Sequence, residues 1–391
     1  MDQREEKHMR FLHTSDWHLG RLFHGIHLTE DQAYILEQFL SLVREYRPDA
    51  IIIAGDIYDR AVPPVEAVEL LNHILSQILL DYKIPIIMIA GNHDSGERLG
   101  FGSRLLAGQG LYVAGTLSGD MEPVILYDVH GPVYFAPIAF AEPAYARACF
   151  ACPGILNHDQ AMQAAVQKAV AGIPAKTRSV AIAHAFILGG MESESERPLS
   201  VGGSGMVNSA LFEPFSYTAL GHLHNPQQAG NPLIHYSGSL LKYSFAEASQ
   251  KKSIHLVELD NAGHAVIEKV SLSPRHDVRC LEGYFENLLH NDDDAISKDY
   301  LSITLLDEVP ILDAMGRLRE KYPHVLALES PRFIKKGLLN GLPKDHRKLS
   351  EKELFAAFFY QMTGKTMSSE EQLYLAEVIE RVYSEEREAR V

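Results

Sequence analysis

The sequence feature that most constrains the fold is a short apolar run that ends at an acidic residue. Residues 51–54 read Ile-Ile-Ile-Ala and are followed directly by Gly55 and Asp56. Runs of this kind are typical of strands buried on both faces of a parallel sheet. Ligands of such sheets bind beyond the carboxyl ends of the strands, so Asp56 is expected at a functional edge. The chain is therefore predicted to have an α/β fold.

Other predicted strands also end at polar side chains. The strands are residues 11–15, 85–90, 179–183 and 217–220, and amphipathic helices are predicted at 29–47 and from Pro63 onward. The polar side chains at their ends are Asp16, His18, Asn92, His93, His184, His222 and His224. Near-symmetrical sets of strands with helices outside predict two packed sheets flanked by helices, an αββα sandwich.

These side chains have the composition of a metal site. Carboxylate, imidazole and carboxamide groups suit divalent manganese, iron or zinc, and the lack of thiolates argues against a structural zinc finger. Two ions about 3.5 to 4 Å apart can clamp a scissile phosphate. Such a pair needs one bridging ligand, and Asp56 is central enough to supply it. Two divalent ions are expected, with Mn2+ as the expected metal.

Charge and composition exclude several classes of function. A net charge of −15 argues against a protein that simply coats nucleic acid, whereas metals and local basic patches can still carry phosphate contacts. No apolar run reaches the roughly 18 residues needed to cross a bilayer, and residues 1–8 lack the apolar core of a signal peptide. The three cysteines predict no disulfide framework, and Cys149 and Cys152 have no second pair to complete a zinc site. A cytoplasmic protein is expected.

The chain changes character after residue 272. Residues 9–272 carry the strand ends described above, and residues 273–334 are expected to form a small α/β cap domain. Residues 335–349 are interpreted as a basic linker with candidate DNA-binding side chains Lys335, Lys336, Lys344, Arg347 and Lys348. Capping boxes that begin at Ser350 and Ser368 predict two helices in residues 350–391. Their apolar stripes can pack on each other or form a helical hairpin that docks on a partner, and the docking hairpin is the expected arrangement.

The polar motifs resemble those of a known superfamily. Five stretches are similar to the motifs of the calcineurin-like metallophosphoesterases: Asp16-x-His18, Gly55-Asp56-x-x-Asp59, Gly91-Asn92-His93-Asp94, His184 and Gly221-His222-x-His224. Residues 13–20 and the Ser-Gly-Ser stretch at 237–239 further resemble the bacterial SbcD family, the nuclease subunits of SbcCD complexes and relatives of the Mre-type nucleases. The resemblance covers residues 9 to about 270 and is weaker in the tail.

The resemblance implies a role for each candidate residue. The implied ligands of one metal are Asp16, His18, Asp56 and His224. Those of the other metal are Asp56, Asn92, His184 and His222. His93 would stabilise or protonate the leaving 3′ oxygen, and Asp59 would orient a ligand or position substrate.

The resemblance also implies an activity and partners. The activity is 3′-to-5′ exonuclease and single-strand endonuclease cleavage of DNA ends and hairpins in repair, recombination and replication. The partner is an SbcC ATPase, bound through the C-terminal hairpin in a heterotetramer that contains a dimer of nuclease subunits. A small-molecule or nucleotide phosphodiesterase with the same two-metal centre is the alternative, because fold and site alone do not name the substrate.

Overall fold

A computed structural model describes residues 8–193, 195–196, 199, 205–330, 352, 355–356, 359–360 and 365–388, with backbone only after residue 379. The chain divides into two compact units, Met1–Asp277 and Val278–Val391. No helix in the described ranges is long and apolar enough to cross a membrane. Much of the first predicted hairpin helix lies outside these ranges. So do all the candidate DNA contacts, which are Lys335, Lys336, Lys344, Arg347 and Lys348.

The first unit contains most of the described strands and helices. In chain order its strands are β1 (Met9–Thr14), β2 (Leu22–Phe23), β3 (Ile26–His27), β4 (Ala50–Ala54), β5 (Ile86–Ile89), β6 (Leu111–Ala114), β7 (Val124–Asp128), β8 (Gly131–Ile138), β9 (Arg178–His184), β10 (Phe186–Ile187), β11 (Met206–Val207), β12 (Tyr217–Gly221), β13 (Gln227–Gln228), β14 (Ile234–Tyr236), β15 (Ser253–Leu259) and β16 (Ala265–Ser271). Its helices are α1 (Thr29–Tyr46), α2 (Val65–Ser76), α3 (Gly96–Leu99), α4 (Ser103–Leu106), α5 (Pro143–Cys149) and α6 (His158–Ala171).

Two six-stranded mixed sheets form the body of this unit. The first has the order β16-β15-β1-β4-β5-β6, in which β1, β4, β5 and β6 run parallel. The second has the order β13-β14-β12-β9-β8-β7, in which β14, β12, β9 and β8 run parallel. Parallel neighbours need crossover connections, and α1, α2 and α6 are parts of three of them.

The two sheets pack face to face around an apolar core. Ile52 of β4 belongs to the same core cluster as Val180 and Ile182 of β9. Side chains alternate along a strand, so the fully buried Ile51 points to the opposite face of the first sheet. This double burial explains why β4 is apolar at every position. The α/β class and the two packed sheets of the prediction are confirmed.

The second unit has its own small α/β core. Its strands β17 (Val278–Gly283), β18 (Tyr300–Leu305) and β19 (Val325–Glu329) form a parallel sheet in that order. Its first helices are α7 (Phe285–Leu289) and α8 (Ala314–Lys321). Phe285, Leu301 and Leu318 are buried together in the core.

The last helix, α9 (Ser369–Glu388), begins at the predicted capping box. The Ser368 N–H and Oγ–H donate to Glu371 Oε2 at 2.7 and 2.9 Å, and the Glu371 N–H donates to Ser368 Oγ at 3.3 Å. These bonds satisfy amide donors that have no partner within the first helical turn. The predicted start of this helix is confirmed.

Three buried histidines contact one another between the two sheets. The ring of His13 lies 5.6 Å from that of His255, which lies 5.7 Å from that of His235. His13 bonds to the Tyr217 hydroxyl and to the Leu220 carbonyl. Neither ring nitrogen of His255 has a hydrogen-bond partner among the described residues. Burial lowers the pKa of His13 to about 3 and that of His255 to about 2.

We predict that acid destabilises the protein partly through His255. Its pKa is lowered from 6.5 to about 2, so unfolding takes up a proton, and stability falls as the pH drops below 6.5. At pH 5, protonation of His255 in the unfolded chain lowers the free energy of unfolding by about 2 kcal/mol. In urea denaturation with EDTA, His255→Gln should therefore show a smaller loss of stability between pH 7 and pH 5. The exposed His73→Gln is the control, and an unchanged loss in His255→Gln would contradict the explanation.

Candidate metal centre

The loops that follow β1, β4 and β12 hold candidate ligands in an unusual backbone conformation. The φ angles are 52° at Asp16, 45° at His18, 50° at Asp56 and 109° at His222. Residues with side chains rarely adopt positive φ, so tertiary contacts must hold these loops. Two hydrogen bonds of 3.0 Å do so, from the Asp16 N–H to the Gly55 carbonyl and from the His18 N–H to the Asp56 carbonyl. The first two loops are thereby locked together.

Glycines let the two sheets approach closely at their strand ends. A Cβ on Gly55 would lie 2.4 Å from His184 Nδ1, and a Cβ on Gly221 would lie 1.9 Å from the Ala54 carbonyl oxygen. The φ of Gly55 is also positive, at 92°. Larger residues would collide with the opposite sheet at both positions. Side chains from the two sheets can therefore reach a common point.

The Asp56 carboxylate is that common point. Its Oδ2 lies 3.6 Å from His18 Nε2, 3.5 Å from His184 Nε2 and 3.9 Å from His93 Nε2. Its Oδ1 accepts the His93 N–H at 2.9 Å. His18 follows a strand of the first sheet, and His184 ends a strand of the second. Asp56 thus lies between two groups of side chains, as a bridging ligand must.

The remaining predicted ligands lie on either side of Asp56. Asp16, His18 and His224 form one group whose ligand atoms lie within 4.8 Å of one another, and His18 Nε2 is 3.0 Å from His224 Nε2. In the other group, His184 Nε2 and His222 Nδ1 lie 2.9 and 3.3 Å from Asn92 Oδ1. The structure therefore brings all seven predicted ligands together: Asp16, His18, Asp56, Asn92, His184, His222 and His224.

The hydrogen bonds of the imidazoles indicate that this donor set fits cations. His184 Nδ1–H donates to a backbone carbonyl of β4 at 2.9 Å, so its Nε2 presents a lone pair to the Asn92 and Asp56 oxygens. His224 Nδ1–H donates to Glu247 at 3.1 Å, so its Nε2 also presents a lone pair to the centre. Facing lone pairs in a buried site are unfavourable unless a cation lies between them. Nitrogen and oxygen donors in this arrangement suit divalent ions.

Burial favours the neutral forms of these side chains. Burial and the Asp56 charge raise the pKa of Asp16 well above its ordinary value. Burial also lowers the pKa of His18, His184 and His222. An imidazole without a ring proton on its inward nitrogen is ready to bind metal, and a bound cation favours the carboxylate form of Asp16. The electrostatics therefore also fit a metal centre.

His93 and Asp59 lie at the rim of the centre. His93 Nδ1–H donates to the Asp59 backbone carbonyl at 2.8 Å. The Asp59 carboxylate accepts a bond from Arg21 at 2.7 Å and lies 3.7 Å from His18 Nδ1. The side chains of Asp59 and His93 are 20% and 12% exposed, whereas that of Asp56 is 3% exposed. The ligand atoms of Asp59, His93 and His18 lie within 4.8 Å of one another and form a further candidate set.

Asp94 also holds the centre together, a role that was not predicted from the sequence. Its carboxylate accepts the backbone N–H groups of Ile57, Tyr58 and Gly91 at 3.1, 2.9 and 2.9 Å. It therefore joins the loop after β4 to the loop after β5. Burial and the Asp56 charge raise the pKa of Asp94 to about 7. Its place in the Gly-Asn-His-Asp motif was the available signal.

Three other residues support the metal centre, and no local sequence pattern indicates this role. Gln32 of α1 donates to the His18 carbonyl at 2.7 Å and so fixes the loop after β1. Glu247 accepts the bond from His224, and Lys252 donates to the His224 carbonyl at 2.8 Å. Each of these residues contacts a partner distant in sequence, so sequence spacing does not reveal it.

Residues in the segment 189–205 also contact the centre. Glu196 accepts the His224 N–H and Ser195 Oγ bonds to His224 Nδ1, both at 2.8 Å. Glutamates interleaved with serines and glycines suggest exposure to solvent, but here two of these polar side chains bond to a buried histidine.

Comparison with known proteins identifies the family of the chain. Residues 9–147 match the calcineurin-like phosphoesterases, and residues 274–363 match a family described as the type 5 capsule protein repressor C-terminal domain. The SbcD subunit of the SbcCD nuclease of Staphylococcus saprophyticus is 34% identical over 363 residues, which are 92% of this chain and 95% of that protein. The protein of the same name from Staphylococcus epidermidis is 34% identical over 361 residues, with the same two coverages, 92% and 95%. This chain belongs to the SbcD family.

Membership of the SbcD family confirms the resemblance and identifies the kind of enzyme. The chain is a metal-dependent nuclease, a hydrolase of phosphodiester bonds, and its metal site is a divalent dimetal centre. A looser match is the crystal structure of a dimetal phosphatase from Danio rerio, which is 10% identical with a TM-score of 0.41 and covers 68% of this chain and 96% of that chain.

We predict that Gly91→Ala disrupts the centre while the fold persists. The added Cβ would lie 2.2 Å from Asp56 Oδ1 and 2.4 Å from the Asp56 backbone nitrogen, so both the carboxylate and its loop must move. Mn2+ binding measured by calorimetry should weaken roughly 10- to 100-fold, with an unchanged circular-dichroism spectrum. Gly108→Ala is the matched control, because its Cβ would meet nothing within 4 Å. Wild-type Mn2+ affinity in Gly91→Ala would show that the position of Asp56 does not matter for binding.

Proposed function

We propose that this chain is the nuclease component of an SbcCD-type complex and cleaves DNA with two Mn2+ ions. The proposed activities are 3′-to-5′ exonuclease and single-strand endonuclease cleavage of DNA ends and hairpins in the cytoplasm. The observation that carries the proposal is the buried Asp56 carboxylate, which faces imidazoles from both sheets. It supports two metals that flank one scissile phosphate. The name of the staphylococcal relatives supports a nucleic acid as the substrate.

The proposed ligands fall into two sets that share Asp56. The first set is Asp16, His18, Asp56 and His224. The second set is Asp56, Asn92, His184 and His222. Their oxygen and imidazole donors support Mn2+ rather than a thiophilic ion. When bound, the two ions activate a water molecule and neutralise charge on the phosphate.

The contribution of His93 is proton transfer to the leaving oxygen. The Asp59 carbonyl accepts the Nδ1–H bond, so Nε2 is the atom left to hold a proton and deliver it to the 3′ oxygen. Nε2 lies 3.9 Å from Asp56 Oδ2, next to the proposed bridging ligand. Imidazoles exchange protons near neutral pH, which suits this task. Asp59, paired with Arg21 at the rim, positions the substrate.

We predict that Asp56→Ala and His93→Ala fail in different ways. Asp56→Ala removes the shared ligand and should lose bound Mn2+ together with cleavage. His93→Ala should keep two Mn2+ ions per chain and lose about 10²- to 10⁴-fold in turnover on single-stranded DNA. Bound Mn2+ is counted by plasma mass spectrometry, and the exposed His264→Ala is the control.

Two results would contradict this proposal. A His93→Ala protein with one Mn2+ ion in place of two would make His93 a ligand. Wild-type protein that hydrolyses a chromogenic phosphodiester, but neither duplex nor single-stranded DNA, would favour the alternative of a small-molecule phosphodiesterase.

We propose that DNA is contacted by the cap domain, residues 273–334, and by the basic linker, residues 335–349. The contacts in the linker are Lys335, Lys336, Lys344, Arg347 and Lys348. These side chains are the densest basic group in a chain with a net charge of −15, and this local charge supports phosphate contacts.

We propose that the C-terminal hairpin, residues 350–391, binds an SbcC-type ATPase. Leu373 and Tyr374 of α9 are 68% and 66% exposed. Isolated helices are marginal in water, so an apolar partner surface would stabilise this one. The staphylococcal relatives are named as one component of an SbcCD nuclease, and that name supports a second component as partner.

We also propose that two nuclease chains pair beside the metal centre. Phe101 and Leu105 follow β5 and are 85% and 83% exposed, and Val62 and Val65 follow the neighbouring β4 and are 61% and 68% exposed. Exposed apolar patches mark protein interfaces more often than free surface.

Native mass spectrometry tests both interfaces. The full-length chain mixed with SbcC should form a complex of two chains of each kind. A chain that lacks residues 350–391 should remain a nuclease dimer that cleaves single-stranded DNA but no longer binds SbcC. Full SbcC binding by the shortened chain would contradict the role of the hairpin, and a monomer of the full-length chain would contradict the dimer.

A further inference from the structure

A buried ion pair lies directly behind one of the proposed ligands. Glu247, in a 3-10 turn, and Lys252, just before β15, are joined at 2.5 Å between Oε2 and Nζ. Their side chains are 0% and 4% exposed. Burying two charges costs more than their attraction returns unless further hydrogen bonds complete the pair. The further bonds here lead to His224.

Both members of the pair hold His224. Glu247 Oε1 accepts His224 Nδ1–H at 3.1 Å, and the Lys252 ammonium donates to the His224 carbonyl at 2.8 Å. Ser195 Oγ–H donates to Glu247 and bonds to His224 Nδ1 as well. The ring and the backbone of this histidine are therefore fixed together. Its Nε2 lone pair is directed at His18, 3.0 Å away.

His224 differs in this respect from the other histidines of the centre. The Nδ1–H of His184 and that of His93 donate to backbone carbonyls, which are neutral acceptors. Only His224, among the histidines in the described part of the centre, donates to a carboxylate. A carboxylate behind a metal-binding imidazole makes the imidazole a stronger donor and fixes its orientation. Lys252 balances the carboxylate charge, so the buried site does not gain a net negative charge behind the ring.

We propose that Glu247 and Lys252 are positioning residues that set the metal affinity of one of the two positions, the one formed by Asp16, His18, Asp56 and His224. This inference rests on the ligand assignment proposed above. It assigns the pair to metal binding, although neither side chain is itself a ligand. The competing explanation is that the pair only stabilises the junction before β15.

Three variants of the full-length chain separate these explanations. Glu247→Gln keeps a hydrogen-bond acceptor for His224 but leaves the Lys252 charge buried without its counter-charge. It should weaken Mn2+ binding at one position by about 10- to 100-fold, with the second Mn2+ ion retained. Lys252→Met leaves the Glu247 charge unbalanced and should also change the affinity of this one position. The double variant has no unpaired buried charge but still lacks the carboxylate behind His224, so it should regain stability and not Mn2+ affinity.

The matched control is a second buried ion pair, Arg178–Asp128, whose side chains are 7% and 4% exposed and 2.6 Å apart. Asp128→Asn also leaves a buried cation without its counter-charge, so it should lower the free energy of unfolding without changing Mn2+ binding. Titration by electron paramagnetic resonance gives the affinity of each position, and urea denaturation with EDTA gives the stability. Glu247→Gln that behaves like Asp128→Asn would overturn the inference.

A ligand variant separates failure of this inference from failure of the proposed function. His18→Ala removes a proposed ligand of the same position and should lose one Mn2+ ion. If it does, while Glu247→Gln and the double variant bind two ions with wild-type affinity, only the role of the pair is wrong. If His18→Ala itself binds two ions normally, the ligand assignment is wrong, and the inference fails with it.

Discussion

The metal centre depends on the close approach of the two sheets at the strand ends that carry Gly55 and Gly221. With Gly55 and Gly221 in place, β4 of the first sheet lies against the ends of β9 and β12 in the second. The Asp56 carboxylate then stands between His18 and His184, which belong to different halves of the sandwich. Neither sheet alone could surround a pair of ions. The packing of the apolar core therefore sets the geometry of the reaction centre.

In the chain without bound metal, this arrangement is energetically unfavourable. Carboxyl groups and lone pairs are buried against one another, and four loop residues hold a positive φ at about 1 to 3 kcal/mol each. Cations that bind the folded chain and not the unfolded chain offset this cost. Metal binding and stability are therefore coupled in this fold. The hydrogen bonds that Asp94 accepts and the one that Gln32 donates keep the strained loops in place.

The sequence predicts the strands and their polar ends well because both are local patterns. The run at residues 51–54 and the Gly-Asp and Gly-Asn-His-Asp motifs identify the sheet, its functional edge and the candidate ligands. Glu247, Lys252 and Arg21 could not be predicted in this way. Each acquires its role through contacts with residues distant in sequence, and a lone glutamate or lysine is usually exposed to solvent.

We propose that Asp56 bridges two metals. Crystals grown with Mn2+ and measured at the manganese absorption edge test it directly, because anomalous scattering locates each ion independently of the protein. We expect two peaks about 3.5 to 4 Å apart, on either side of Asp56. One should lie beside His18 and His224, and the other beside His184 and Asn92. A single peak, or a second peak held by His93 and Asp59, would contradict it.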